Sequence, residues 1–86
     1  MTKLWTDEMW EDYLYWQSKD KKTLEKINKL IKDIERNGAN RGIGKPERLK
    51  HIKAWSREID EKNRLTYDIQ DNQLMLYTCR GHYDDK

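Results

Sequence analysis

The stretch CRGHY, residues 79–83, sets His82 beside Tyr83 just after an apolar run, while Glu47 stands in a basic loop and Arg64 opens an alternating segment. A carboxylate, a guanidinium and an imidazole around a cationic surface are the groups that metal-free RNA cleavage requires. The carboxylate takes the proton of a ribose 2′-hydroxyl, the guanidinium holds the charge that builds on the phosphorus oxygens, and the imidazole protonates the departing 5′-oxygen. A free carboxylate with an ordinary pKa of about 4.3 is ionised at neutral pH, whereas a free imidazole at about 6.5 is only partly protonated. A phosphate or a neighbouring carboxylate raises the imidazole's value and keeps the acid loaded. As a bare set the residues are weakly specific: a late histidine is commonly a surface residue, a strand-end tyrosine packs, and a loop glutamate is solvated.

The charge pattern gives this chemistry a setting. The formal net charge is only +2, but residues 41–57 hold Arg41, Lys45, Arg48, Lys50, Lys53 and Arg57 against Glu47 alone. Residues 1–20 hold Lys3 and Lys19 against Asp7, Glu8, Glu11, Asp12 and Asp20. A polyanion would land on the middle of the chain, with an ordinary solvated face as the alternative.

Composition bounds the rest. Eighty-six residues imply one domain, 1–86, because so short a chain has too little interior for two cores. With 40% charged and 35% hydrophobic residues the chain would read as disordered, were it not for four Trp, five Tyr and regular Leu/Ile spacing. A thin-cored folded domain is expected. The single cysteine, Cys79, excludes an internal disulfide or a cysteine-built zinc site and reads as a buried strand residue. No apolar run approaches the roughly 18 residues of a membrane span, and MTKLWTDEMW lacks the apolar core of a secretory leader, so a cytoplasmic protein away from membranes is expected.

Elements must position these groups. MTKLW has strand character, and Thr6 can cap a helix over about 6–18, with Asp7 and Glu8 favourably placed in its first turn. Met9, Tyr13 and Trp16 line one side of it, widened by Trp10 and Leu14. Asp20 can cap a second helix in which Leu24, Ile27, Leu30, Ile31 and Ile34 repeat at three and four, ending at Gly38. The short link predicts an antiparallel hairpin. GANRGIGKPERLKH reads as a loop. HIKAWSREID is a strand with muddled alternation. RLTYDIQ is cleaner, with Leu65, Tyr67 and Ile69 on one side and Arg64, Thr66 and Asp68 on the other. Asp71-Asn72 supplies a turn, and QLMLYTCRGHY returns beside it. The predicted fold is α+β: a strand, a two-helix hairpin, then a three-stranded antiparallel meander. With helices on one face, Arg64 and Thr66 project from the other, Glu47 can reach it, and Arg80 and His82 share a side by the period of two.

The fragments WTDEMWEDYLYWQ, KINKLIKDI, GKPERLKH, WSREI, RLTY and CRGHY, in this order and at these separations, resemble the YoeB (Txe) branch of the RelE/ParE toxin superfamily from about Lys3 to Tyr83. The resemblance implies a RelE-like microbial-ribonuclease fold and a bacterial type II toxin: an endoribonuclease that cuts mRNA in the ribosomal A site, uses no cofactor, and is neutralised by a YefM-type antitoxin. By the same likeness Glu47 is the general base, Arg64 steadies the transition-state phosphate, His82 is the general acid and Tyr83 orients the nucleotide. Lys50 and Arg57 match basic positions that contact RNA phosphates. Arg41, Lys45, Arg48, Lys53 and Arg80 join them as candidate RNA or ribosome contacts, and His51 reads as structural or rRNA-facing. Implied partners are the antitoxin, the bacterial ribosome with its mRNA, and a second copy of the chain, with operator DNA reached only through the antitoxin complex.

Three positions depart from the family pattern. Glu58 follows Arg57 where a second arginine is frequent, Ala54 precedes Trp55 where a bulky aromatic is common, and Asp84, Asp85 and Lys86 follow a tyrosine that frequently ends the family chain. Two other readings remain: a ParE-like binder that blocks a topoisomerase, and a general basic RNA-binding domain. The first is disfavoured by the retained Glu, Arg and His-Tyr set. The second predicts ribosome-independent affinity and no cut.

Overall fold

The computed structural model describes residues 1–81. The chain runs β1 (Thr2–Trp5), α1 (Asp7–Lys19), α2 (Lys21–Asn37), β2 (Glu47–Arg48), β3 (Trp55–Glu58), β4 (Arg64–Gln70) and β5 (Gln73–Thr78). Local chemistry explains the helix ends. The Thr6 hydroxyl accepts the Met9 N–H at 2.9 Å, capping α1. Asp20 closes α1 by donating its N–H to Trp16 O, and its carboxylate accepts from Lys22 N and Thr23 N to open α2. Gly38, at φ +90°, donates to Ile34 O at 2.8 Å and stops α2 in a conformation glycine tolerates.

The five strands form one sheet in the order β1-β5-β4-β3-β2. The meander of β3, β4 and β5 is antiparallel as its alternation implied, but β1 lies parallel to β5, from Thr2 opposite Gln73 to Trp5 opposite Leu76. The sheet is therefore mixed. Thr6 fixes this pairing where strand gives way to helix, its N–H donating to Leu76 O at 3.0 Å and its hydroxyl to Tyr77 O at 2.6 Å. The expected 51–60 strand shortens to Trp55–Glu58. Leu49 N donates to Ala54 O and Ala54 N to Ile52 O, which closes a tight turn and accounts for the muddled alternation before Trp55. Asp71 and Asn72 both take positive φ, the hairpin geometry whose twist matches the flanking strands.

Both helices cover one face of the sheet. Ile27, Leu30, Ile31 and Ile34 of α2 and Met9 of α1 pack against Leu65, Tyr67, Leu74, Leu76 and Cys79. Tyr13 and Trp16 flank this core, but Trp10 and Leu14 do not widen it: Trp10 is 52% exposed and lies against Trp5 and Tyr13 at the surface. No helix among the described residues is long and apolar enough to cross a membrane.

Candidate active site

The face away from the helices is built by register. Glu47 pairs with Ser56, Ser56 with Thr66, and Thr66 with Thr78, so these four side chains form a row across β2, β3, β4 and β5. Thr78 joins the row because a bulge at the Thr66/Tyr67 step shifts β5; without it Thr78 would point with Leu76 into the core. Its hydroxyl meets that of Thr66 at 2.6 Å.

Arg64 lies two residues before Thr66 and opposite Glu58, on the same face. Its Nε donates to Ser56 Oγ at 2.9 Å, and the terminal nitrogens make no other hydrogen bond among the described residues. Ser56 is thus the common neighbour of Glu47, by strand pairing, and of Arg64, by hydrogen bond. Strands β2 and β4 are separated by β3, about 10 Å of sheet, a gap that two long side chains can narrow to the width of a phosphodiester.

The chain is drawn to this place at its last described residues. Cys79 N donates to Asp12 Oδ2 at 3.0 Å, and Trp16 Nε1 donates to Cys79 O at 2.8 Å, so α1 grips the peptide from both sides. Gly81 N then donates to Asn63 Oδ1 at 2.8 Å and Arg64 N to Gly81 O at 3.0 Å. Asn63 is itself held by Asp60, whose carboxylate accepts from Asn63 N and Nδ2. Burial, then the Asp12 charge, push the Cys79 thiol up to about 12.

The chain matches the family described as the YoeB-like toxin of bacterial type II toxin-antitoxin systems over residues 5–83. It belongs to the YoeB-like toxin family. It is 49% identical over 85 residues to the toxin YoeB of Escherichia coli K12, covering 96% of this chain and 100% of that one. Its fold is similar to the YoeB dimer structure from Staphylococcus aureus, with a TM-score of 0.91 at 42% identity over 96% of this chain and 98% of that one. It is also similar to the toxin in a heterotetrameric YoeB-YefM toxin-antitoxin complex from Staphylococcus aureus, at a TM-score of 0.88 and 44% identity, covering 96% and 98% of the two chains. Asp84, Asp85 and Lys86 fall beyond the matched segment.

Within this YoeB-like frame the structure brings Glu47 and Arg64 onto one face, while His82 and Tyr83 lie outside the described residues. The basic positions divide. Arg41, Lys45, Arg48, Lys50 and Lys53 are exposed, Lys45 pairing loosely with Glu58 at 3.8 Å and the Arg48 guanidinium lying 5.7 Å from the Trp55 ring centre. Arg80 follows the end of β5, so strand alternation no longer applies to it, and its guanidinium lies 3.6 Å from the Tyr15 ring centre on α1. Arg57 is corrected outright. It is 0% exposed and spends its guanidinium on Asp33, Tyr67 and backbone carbonyls, so it cannot be the phosphate contact expected of it.

Ser56 and Asn63 escaped the sequence reading. Their signal was available in principle: Ser56 alternates with Trp55 and Arg57 on a strand, and the Asp60-to-Asn63 spacing is typical of a side-chain-capped turn. Among the described residues no three His, Cys, Asp or Glu side chains are grouped so that they could hold a metal ion.

Proposed function

We propose that this YoeB-like toxin is a ribosome-dependent mRNA endoribonuclease working by general acid-base catalysis without a metal. The observation that carries the reading is the convergence of Glu47 and Arg64 on Ser56, with Gly81, the residue before His82, bonded to the Arg64 backbone. Glu47 removes the proton of the ribose 2′-hydroxyl, and that oxygen attacks the adjacent phosphorus. The Arg64 guanidinium donates to the non-bridging oxygens as their charge grows. His82 gives its proton to the leaving 5′-oxygen, leaving a 2′,3′-cyclic phosphate on one fragment and a 5′-hydroxyl on the other. Tyr83 orients the nucleotide by stacking or hydrogen bonding.

The exposed cations Arg41, Lys45, Arg48, Lys50 and Lys53, with Arg80, contribute phosphate contacts in the RNA-walled A site, where the ribosome itself positions the message. The toxin works in the bacterial cytoplasm. A YefM-type antitoxin neutralises it, and operator DNA is met only through that complex. The YoeB dimer and the YoeB-YefM assembly among its structural neighbours support a homodimer and an antitoxin complex here as well. Primer extension on ribosome-bound message tests the reading: a stop within the A-site codon, absent with the antitoxin, is expected. No stop on any translating message would overturn it.

A further inference from the structure

We propose that Arg57 is a positioning residue for Glu47, acting through the loop between α2 and β2; this rests on the ribonuclease reading above. A guanidinium has five N–H donors, and here every one is engaged. Nε donates to Tyr67 Oη at 2.9 Å, Nη1 to Asp33 Oδ2 at 2.5 Å and Ile43 O at 3.0 Å, and Nη2 to Gly38 O at 2.8 Å and Arg41 O at 2.6 Å. Tyr67 Oη passes the chain on to Ala39 O at 2.6 Å, and Asp33 Oδ2 also takes Ile43 N at 3.0 Å. One buried side chain, with its two partners, thus fixes the carbonyls of residues 38, 39, 41 and 43.

The loop wraps the charge closely enough to dictate its own sequence. Gly42 stands at φ +122°, and a Cβ there would collide with the Asp33 carboxylate and press on Arg57 Nη1. Gly44 O then accepts Glu58 N at 2.7 Å, and only Lys45 and Pro46 separate it from Glu47. Pro46 has a fixed φ, so little slack remains between the anchored loop and the carboxylate.

Strand pairing alone is too small to hold Glu47. β2 has two residues, well below the usual strand of about five or six, and two pairings to β3. The Leu49 N to Ala54 O bond closes the far end of β2, and the loop anchor fixes the end at which Glu47 enters. Adjacent residues of β3 therefore serve the site from opposite faces: Ser56 holds Arg64 directly, and Arg57 holds the loop that delivers Glu47.

The test uses Arg57→Lys and Tyr67→Phe in the full chain, each first checked by circular dichroism for a melting point above the assay temperature. Tyr67→Phe serves if Arg57→Lys does not fold. Single-turnover cleavage of ribosome-bound message at saturating ribosome is expected to fall roughly 10- to 100-fold, the scale of a small misplacement, and by more than any loss of ribosome affinity, since Arg41, Lys45 and Arg48 ride on the same loop. In a Glu47→Gln background the same substitution should lower the residual rate by less than about three-fold, because the residue acts through the missing carboxylate. A full cleavage rate, a loss confined to binding, or an undiminished penalty in the Glu47→Gln background would each overturn the proposal. If the unsubstituted protein cuts no message, the ribonuclease reading fails separately. Hydrogen exchange then decides the role of Arg57: faster exchange at the amides of Lys45, Glu47 and Arg48 in Arg57→Lys supports the anchor, and unchanged exchange refutes it.

Discussion

The Arg64 N–H donates to the Gly81 carbonyl at 3.0 Å. The residue that begins β4 with a guanidinium thus also receives the chain one residue before His82. A single backbone contact couples two parts of the proposed site that are far apart in sequence. Substitutions that leave this contact intact should separate chemistry from folding.

Glu47→Gln, Arg64→Ala and His82→Gln are each expected to abolish growth arrest and to lower cleavage at least ~100-fold, the scale of a lost acid, base or charge-stabilising donor. Melting points should stay close to that of the unsubstituted protein for Glu47→Gln, whose side chain is exposed. Primer extension with thermal melts checks both parts, and full cleavage by all three variants would end the catalytic assignment.

Ser56→Ala removes the acceptor of the Arg64 Nε bond at a wholly buried position. A hydrogen bond to a charged group is worth about 1.5–3 kcal/mol, so urea unfolding should show a loss of that order. Cleavage should fall with it, because Arg64 keeps its charge but loses its aim. Ser56→Thr, which retains the hydroxyl, should recover more activity than Ser56→Ala.

Asn63→Ala frees both Gly81 N and the Asp60 carboxylate from their shared amide. The expected result is a loss of stability of about 1–2 kcal/mol and a lower cleavage rate at unchanged ribosome binding. Binding assays beside single-turnover rates distinguish this from a general loss of fold.

The Arg57 hydrogen bond, chiefly, holds the Asp33 carboxyl below its ordinary 3.8. A carboxylate whose folded pKa is depressed contributes stability that is fully present above its unfolded value and is lost as pH falls through the folded one. Asp33→Asn should therefore cost about 2 kcal/mol near neutrality, and the gap between the two proteins should close as pH drops below about 4. Urea titrations from pH 7 to pH 3 measure it; a gap that stays constant with pH would contradict the ion pair.

With the Cys79 thiol pushed up to about 12 and wholly buried, almost no thiolate exists at pH 8. An aromatic disulfide reagent should leave the native chain unlabelled and react fully once urea unfolds it. Rapid labelling of the folded protein would mean that α1 does not hold residue 79 as described.

Much of this architecture was legible because it is local. Thr6, Asp20 and Gly38 announce helix ends through chemistry contained within a turn, and the alternation of Leu65, Tyr67 and Ile69 identifies the core side of β4 directly. The parallel pairing of β1 with β5 joins segments about 70 residues apart and leaves no periodic signal. Arg57 misled for a related reason. A cation in a basic stretch reads as solvated, and its burial depends on Asp33, Tyr67 and loop carbonyls brought in from three other segments. Glu47 and Arg64 were nameable from the family resemblance; alternation could mark the side on which Ser56 lies, but its place between them needed the strand register.

Asp20 ends one helix and begins the next, so the hairpin has a hinge without length. A tag, a protease site or a new terminus inserted there would disrupt two caps in one stroke. The Asp71-Asn72 turn, joining strands whose pairing resumes at once on either side, is the better place to open the chain or attach a label.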